Sequence, residues 1–332
     1  MTALLASPLP ATVVVETTST PPRDAEVVVV VPTFRRPQAV LRTLASLEAQ
    51  ATRRRFAVVL VENDGEGREG VAAARPLFET GRLPGLILTQ HERGNCSAYN
   101  TGFAAARRLF PACRFVMIVD DDEAAPPDWI ERLTETVERL GADCVGAPQI
   151  PVFDDPALAP AARHPVFRAP YARTGLVPIL FSSGNVCIRA EVLEAVGEPA
   201  LDTAFNFIGG GDADFYTRVR DLGFRFGWCS EAPVHETMPA RRAEFSWLHA
   251  RALRNGAISS LIEHRRRAGW RGRTRTLAKS LGLLAAAPAR SLALGWQTRS
   301  VVIGLYHLQV ALGRFQAEFG KVGEQYRNAE SN

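Results

Sequence analysis

Three consecutive aspartates, Asp120, Asp121 and Asp122, directly follow a run of apolar residues at 115–119. Adjacent carboxylates repel one another, so such an arrangement usually has a cation that neutralises it. Hard oxygen ligands suit Mg²⁺ or Mn²⁺, and these ions commonly bridge to the phosphates of a substrate. The sequence therefore predicts a divalent-metal site here. A solvated acidic turn that caps the following helix is the alternative.

Apolar patterning predicts the elements that position these aspartates. Residues 27–31 are a continuous β-branched run, which is typical of a buried parallel strand. Further predicted strands alternate with predicted helices, the strands at 56–61, 86–89, 115–119 and 144–148 and the helices at 37–50, 71–79, 97–109 and 128–140. This alternation indicates an α/β fold, a mostly parallel sheet with helices on both faces.

Polar residues follow three of these predicted strands, at residues 33–35, 62–64 and 120–122. In an open α/β sheet the ligand binds beyond the carboxyl ends of the strands, so the three segments should converge on one crevice. Beyond them, residues 151–178 hold six prolines and predict a long loop. The rest of this half is predicted as a strand at 179–188, helices at 190–196 and 212–222, and a strand at 224–229.

Six segments, in chain order, resemble motifs of the family 2 glycosyltransferases, which have the Rossmann-like GT-A (glycosyltransferase A) nucleotide-sugar fold. They are residues 29–36 (VVVPTFRR), 61–65 (VENDG), 94–102 (GNCSAYNTG), 120–122 (DDD), 183–189 (SGNVCIR) and 210–215 (GGDADF). Residues 120–122 correspond to the D-x-D metal motif of that family. The resemblance implies a catalytic domain over residues 25–238, with a nucleotide-binding half at 25–123 and an acceptor-binding half at 124–238.

The resemblance also implies which residues bind the donor and the metal. Thr33 and Arg35 would contact the nucleotide, and Glu62, where the family more often has Asp, would accept a hydrogen bond from the base or ribose. The full implied donor set is Pro32, Thr33, Arg35, Glu62, Asp64, Arg93, Asn100, Asp120 and Asp121. Asn100 could instead cap local structure. Asp122 would coordinate Mn²⁺ or Mg²⁺, which would stabilise charge on the departing nucleoside diphosphate.

Asp212, at the start of a predicted helix, is implied to be the catalytic base. Transfer with inversion needs a base within hydrogen-bond reach of the acceptor hydroxyl; capping of the helix is the alternative reading of Asp212. The implied acceptor-binding residues are Gly184, Asn185, Gly211 and Asp214, with Gly211 standing where the family commonly has Glu. His235 would be a further metal ligand, with Glu236 in its place, or no role for His235, as the alternatives.

Charge divides the chain at about residue 238. Residues 239–332 carry 16 Lys and Arg against 5 Glu, and the first 238 residues carry 23 basic and 30 acidic residues. We predict a flexible lead-in at residues 1–24 and a basic helical region at 239–332. Basic residues beside amphipathic segments favour an anionic membrane surface; packing on the catalytic domain or on a second subunit of a homo-oligomer is the alternative.

The predicted function is inverting, metal-dependent transfer of a sugar from a nucleotide-sugar donor, with UDP preferred, to a saccharide or lipid-linked acceptor. The alternatives are a nucleotidyltransferase and a non-catalytic nucleotide-sugar-binding protein. Five dispersed cysteines fit a reducing cytoplasm. We therefore expect a cytoplasmic protein, with peripheral attachment to the inner face of the cell membrane as the further possibility. No apolar run reaches the length of a membrane span, and no recognisable module for nucleic-acid binding accompanies the basic charge.

Overall fold

The computed structural model describes residues 9–10, 12–17, 21–320 and 323. Within that part, residues up to 150 and 169–236 form one compact unit, here called the sheet unit. Residues 151–168 and 237–323 form a second one, the helical unit. The strands are β1 (Val13–Val15), β2 (Val27–Thr33), β3 (Phe56–Glu62), β4 (Gly85–Gln90), β5 (Phe115–Ile118), β6 (Glu123–Ala124), β7 (Cys144–Gly146), β8 (Gln149–Phe153), β9 (Gly175–Val177), β10 (Val186–Arg189), β11 (Phe226–Trp228) and β12 (Val234–Met238). The α-helices are α1 (Pro37–Glu48), α2 (Glu69–Glu79), α3 (Asn95–Leu109), α4 (Trp129–Leu140), α5 (Ala190–Val196), α6 (Gly211–Asp221), α7 (Phe245–Arg266), α8 (Trp270–Thr298), α9 (Val301–Gly304) and α10 (Tyr306–Ala317).

Nine of the strands form the main sheet, in the order β1-β4-β3-β2-β5-β10-β7-β11-β9. The run β4-β3-β2-β5 is parallel throughout, whereas β10 pairs antiparallel with both β5 and β7. A smaller sheet has the order β6-β12-β8. The predicted α/β class, a mostly parallel sheet flanked by helices, is confirmed.

The core explains why the polar strand ends meet. β2 lies between β3 and β5, so its valines are fully buried, and Val30 lies opposite Val59 and Ile118. Burial of apolar surface on both faces stabilises these three strands, and their register pairs Thr33 with Glu62 and Val30 with Ile118. Consequently β2, β3 and β5 end at the same edge of the sheet.

The predicted lead-in differs from the structure at one place. β1 pairs antiparallel with β4, which places it at the edge of the main sheet. Three valines favour a strand, and the outer side of β4 offers backbone groups to pair with. Residues 1–8, 11 and 18–20 lie outside the described residues.

The predicted loop at 151–178 also contains more structure than expected. Besides part of β8 it forms two short 3-10 helices, Pro156–Arg163 and Pro165–Phe167, and then β9. Proline fixes φ near the helical value, so it suits the first turn of such helices. The strand predicted at 179–188 is confined to β10, because Asn185 adopts a left-handed φ of 52° just before it.

The helical unit is built on α7, α8 and α10, with α10 in contact with both of the others. This confirms the predicted helical region after the catalytic domain. Among the described helices, α8 is the one long and apolar enough, by length and composition, to cross a membrane.

Candidate active site

The ends of β2 and β5 are joined by polar contacts at the aspartate cluster. Thr33, the last residue of β2, donates its hydroxyl to Asp121 Oδ2 at 2.8 Å. Arg36, the residue directly before α1, places its Nη1 3.1 Å from Asp121 Oδ1 and 2.9 Å from Asp122 Oδ2. The loop between β2 and α1 therefore holds two of the three aspartates.

Asp120 faces a different set of residues. Tyr99 of α3 donates its hydroxyl to Asp120 Oδ1. Glu123 accepts a hydrogen bond from the Asp120 backbone N–H at 2.8 Å and another from the Gln149 side chain. A methyl group on Gly184 would lie 3.0 Å from Asp120 Oδ2 and 2.9 Å from Glu123 Oε1, so only glycine leaves room for the carboxylates at this position.

Burial and mutual repulsion raise the pKa values of the clustered carboxyls. Burial is the largest cause, and the neighbouring Asp122 adds to it; together they raise the pKa of Asp120 to about 7. Burial also raises the pKa of Asp121 to about 6, although Arg36 opposes that shift. Burial and the charge of Asp120 raise the pKa of Glu123 well above its usual value.

The charge of the cluster suits a divalent cation, but its side chains alone do not form a complete coordination shell. The cluster contains five carboxyl groups, and Arg36 contributes one positive charge that directly contacts two of them. A divalent cation would favour the ionised carboxylates that burial and mutual repulsion disfavour. Within the described part of the chain, no three His, Cys, Asp or Glu side chains are arranged to hold an ion by themselves. An ion would have to complete its shell with substrate phosphate and water oxygens, which is how Mg²⁺ is usually bound.

Asp212 begins α6 directly after a glycine-rich turn. Gly209 and Gly210 have φ values of 76° and 91°, which residues with a Cβ rarely adopt. The Asp212 Oδ1 atom accepts a hydrogen bond from the Ala213 N–H at 2.8 Å, so the side chain folds over the first turn of α6. It is half-buried rather than enclosed.

Helix α3 connects Asp212 with the aspartate cluster. A methyl group on Gly211 would lie 2.5 Å from the Cys96 sulfur, so the start of α6 packs closely against the first turn of α3. Tyr99 lies nearly one turn further along α3 and bonds to Asp120. The predicted base and the predicted metal motif thus lie on two sides of the same helix end.

The predicted nucleotide side carries two arginines stacked on one ring. The guanidinium carbons of Arg35 and Arg93 lie 5.1 and 4.8 Å from the centroid of Phe34. Arg35 also pairs with Asp64 at 2.7 Å, which, together with backbone N–H donors, holds the pKa of that carboxyl below its usual range although burial opposes this. Arg35 is half exposed, so its guanidinium is available to an anionic ligand.

Two predicted donor residues, Pro32 and Glu62, are buried at the ends of β2 and β3. Glu62 is fully buried, and its two oxygens accept hydrogen bonds from the Asp64 and Gly70 N–H groups, each at 2.9 Å. Burial raises the pKa of Glu62 to about 7. Pro32 is buried within β2 opposite Val61. Glu62 thus fixes the start of α2, and the donor contacts predicted for Glu62 and Pro32 stay predictions.

Three further predicted site residues have structural partners. Asn185 is fully buried; its Oδ1 accepts from Trp129 Nε1 at 2.7 Å, and its Nδ2 donates to the Pro148 and Ala232 carbonyls. Asn100 bonds to both backbone groups of Leu201 at 2.8 Å, so it joins α3 to a segment 101 residues further along the chain. Asp214 pairs with Arg218 one turn along α6. Each of these side chains stabilises the fold around it, and the donor role predicted for Asn100 and the acceptor roles predicted for Asn185 and Asp214 stay predictions.

Of the two candidate residues on β12, Glu236 and not His235 lies at the carboxylate cluster. Side chains alternate along a strand, and in β12 His235 is exposed. Glu236 pairs with Glu123 across the small sheet, and its charge raises the pKa values of Asp120 and Glu123. Glu236 is therefore the residue of β12 that belongs to the cluster.

Sequence reasoning missed Arg36, Tyr99, Glu123 and Gln149 as members of the site. Arg36 and Tyr99 lie within recognised motif segments and Glu123 directly follows one, and those positions were the available signal. Gln149 gave none, because its place beside Glu123 depends on how β8 pairs with β12.

A doubly flanked sheet with a carboxylate cluster at the end of a central parallel strand defines the class of nucleotide-sugar transferases with the GT-A fold. The chain belongs to glycosyl transferase family 2, whose sequence model matches residues 28–197. It is 31% identical over 235 residues to the succinoglycan biosynthesis protein ExoM of Rhizobium meliloti (strain 1021), covering 68% of this chain and 71% of that one. The predicted family and the prediction of a glycosyltransferase are confirmed.

Two solved structures show the same fold at low sequence identity. The mannosyltransferase PcManGT from Pyrobaculum calidifontis, in complex with GDP-Man and Mn²⁺, is 20% identical, with a TM-score of 0.57 over 94% of this chain and 91% of that one. TarS 1-349 from S. aureus, in complex with UDP, is 14% identical, with a TM-score of 0.53 over 92% of this chain and 97% of that one. These similarities confirm the predicted GT-A fold.

Proposed function

We propose that this glycosyltransferase moves a sugar, with inversion, from a UDP-sugar to a saccharide or lipid-linked acceptor in the cytoplasm, during polysaccharide or glycolipid assembly. The relative named for succinoglycan biosynthesis supports the polysaccharide context. The observation that carries the proposal is the position of Asp212 and Asp120 on two sides of the α3 end, with Gly184 beside Asp120. A reacting sugar could lie between a base and a leaving-group site there.

The donor would bind along the ends of β2 and β3. Arg35 and Arg93 would supply positive charge to the nucleotide diphosphate, since both guanidinium groups lie at the Phe34 ring. Asp64, held by Arg35, is the carboxylate that could accept a hydrogen bond from the base or ribose in place of Glu62. Asp122 would be the protein ligand of a divalent cation, together with donor phosphate oxygens. That ion would supply charge stabilisation for the leaving diphosphate.

The chemistry then follows from Asp212. Its carboxylate takes the proton of the acceptor hydroxyl while the acceptor oxygen forms a bond to the anomeric carbon. The bond between that carbon and the diphosphate oxygen breaks, and the electron pair leaves with the nucleoside diphosphate. Attack opposite the leaving group inverts the configuration of the anomeric carbon.

Calorimetric titration with UDP and with GDP, each with and without Mn²⁺, tests the donor site. We expect UDP to bind more tightly than GDP, and more tightly when Mn²⁺ is present. Equal and metal-independent binding of both nucleotides would contradict the UDP and metal assignments. Absence of binding in every arm would overturn the proposed donor site.

A conservative pair of substitutions on α6 tests the base. Asp212→Asn should reduce transfer by about 10²-fold or more and leave UDP binding unchanged, because general-base catalysis contributes on that scale. Asp221→Asn, the same change at the other end of α6, is the matched control and should keep full activity. Near-normal turnover of the Asp212→Asn variant would reject the role.

A further inference from the structure

Helix α8 exposes its large apolar side chains and buries small ones. The side chains of Leu292 and Trp296 are 76% and 87% exposed, and those of Trp270, Leu277 and Leu281 are exposed as well. The buried residues of α8 are Thr276, Ser280, Ala287 and Ser291. A helix of a soluble protein normally buries its apolar stripe. α8 therefore has the reverse arrangement.

The exposed residues form one continuous stripe. Trp270, Leu277, Leu281, Leu292 and Trp296 are spaced 7, 4, 11 and 4 residues apart. At about 100° per residue, these spacings place all five within an arc about 100° wide. The same arc contains no charged residue. We call this surface the α8 stripe.

The buried serines of α8 make their hydrogen bonds within the helical unit. The Ser280 hydroxyl donates to Glu318 at 2.9 Å and accepts from Arg314, and the Ser291 hydroxyl accepts from the Leu308 N–H at 3.0 Å. Only 11% of the apolar window of α8 is buried. Helices that pack together in lipid likewise place small residues at the contact between helices and large apolar residues on the outside.

The charges around the stripe indicate what covers it. Residues 270–299 contain six basic residues and no acidic one; they are Arg271, Arg273, Arg275, Lys279, Arg290 and Arg299. A second copy of the chain would bring the same positive charges against one another, which opposes association. Lys279 already pairs with Glu263. Anionic lipid headgroups would neutralise arginines among them, since Lys and Arg side chains can reach headgroups while their helix lies deeper.

We propose that the α8 stripe is a docking surface for an anionic lipid bilayer, with α8 lying in the plane of the interface. Trp270 and Trp296 are separated along the helix axis by about 39 Å, which exceeds the hydrocarbon thickness of about 30 Å. Tryptophan prefers the membrane–water boundary, and both ends of the stripe carry one. Lys279 and Arg290 lie between them, where a spanning helix would have to bury their charges.

Vesicle flotation tests the inference on the full chain. We expect binding to vesicles of phosphatidylglycerol and phosphatidylcholine, and much weaker binding to phosphatidylcholine alone. The double variant Leu292→Glu/Trp296→Glu should lose at least about tenfold in partitioning. The control Ala286→Glu/Gln297→Glu adds the same charge at exposed positions of α8 outside the stripe and should retain most binding.

Other results would overturn the inference. These are absence of binding by the wild type, equal binding to both lipid mixtures, or equal loss in both double variants. A dimer that the Leu292→Glu/Trp296→Glu change dissociates, seen by light scattering without vesicle binding, would assign the stripe to a second copy. Resistance of the membrane-bound chain to alkaline carbonate extraction would indicate a spanning helix. Circular dichroism of each variant reports its folding, and UDP binding separates failure of this surface from failure of the transferase site.

Discussion

At the scale of single residues, Arg36 is the contact that most directly concerns the metal. Its guanidinium contacts both Asp121 and Asp122, at 3.1 and 2.9 Å. It therefore neutralises carboxylates that a cation would otherwise approach, and it repels that cation. The positive charge of Arg36 and a divalent ion should compete for the same oxygens.

We predict that Arg36→Gln binds Mn²⁺ roughly fivefold more tightly in the absence of donor, because one competing positive charge is gone. The same change should lower the free energy of unfolding by about 2 kcal/mol without Mn²⁺, since Asp121 loses a partner while buried. Calorimetry with Mn²⁺ and urea unfolding measure the two effects. Arg82→Gln, which removes an exposed pair with Glu48, is the control. Unchanged Mn²⁺ affinity would mean that Arg36 and the ion do not share ligands.

Asn185 shows how a motif residue can serve the site through the backbone. It joins Trp129 of α4 to the carbonyls of Pro148 and Ala232, and its own backbone has a φ of 52°. Asparagine tolerates this conformation better than most residues. The side chain thus fixes the turn that presents Gly184 to Asp120.

We predict that Asn185→Ala lowers the free energy of unfolding by about 3 kcal/mol or more, because buried hydrogen bonds are lost and alanine disfavours a left-handed φ. Asn185→Gly should be less destabilising by about 1 kcal/mol, since glycine accepts that backbone. Urea unfolding of both variants checks the order. Wild-type stability of Asn185→Ala, combined with weaker acceptor use, would restore a direct binding role.

At the scale of elements, the predictable and unpredictable parts have different physical causes. β2, β3 and β5 are evident in the sequence because a central parallel strand is apolar on both faces. β1 is not, since an edge strand of three residues depends on the free side of β4. The side-chain directions of Glu62 and Asn185 could not be predicted either. Each follows from a turn whose backbone path is set by contacts distant in sequence.

The buried arginine of α10 is the polar centre of the helical unit. The side chain of Arg314 is 2% exposed, and it bonds to Ser259 at 2.6 Å, to Ser280 at 3.3 Å and to Glu263 at 3.0 Å. These partners lie on α7 and α8. The Arg314 guanidinium therefore joins α10 to α7 and α8. The residues that α8 buries are all small, so they contribute little apolar contact area.

We predict that Arg314→Ala destabilises the helical unit by about 2–3 kcal/mol, because Ser259 and Ser280 lose their buried partner and Glu263 keeps Lys279 alone. Arg273→Ala, on the exposed side of α8, should change stability by less than about 0.5 kcal/mol. Thermal and urea unfolding followed by circular dichroism measure both. Similar stabilities of the two variants would show that apolar packing alone holds α10 in place.

At the scale of the whole molecule, the modest net charge of +4 is the sum of two unlike parts. The acidic excess lies in residues up to 238 and includes the carboxylate cluster. The negative charge of that cluster fits a divalent cation, and the cation in turn would bind a diphosphate donor. The basic excess lies beyond residue 238 and includes the six basic residues around the α8 stripe. Each half carries the charge that complements its proposed ligand, a difference that the average conceals.

The response of the molecule to acid should depend on one buried histidine of the helical unit. His164 is 1% exposed, packs edge-on against the Tyr306 ring, and accepts a hydrogen bond from the Val166 N–H through Nδ1. Its Nε2 is buried with no hydrogen-bond partner among the described atoms. Burial lowers the pKa of His164 to about 4, below its ordinary value of 6.5.

Since the unfolded chain binds this proton more readily than the folded chain does, stability due to His164 rises with pH between about 4 and 6.5 and is lost as pH falls through that range. We predict that the wild type loses about 2 kcal/mol more than His164→Phe between pH 7.5 and pH 5, because phenylalanine keeps the ring contact and binds no proton. Urea unfolding at both pH values measures this difference. His91→Phe, at an exposed histidine, is the control and should follow the wild type. Parallel losses in the wild type and in His164→Phe would mean that His164 is protonated within the folded chain, and that its ring has access to water that the packing against Tyr306 excludes.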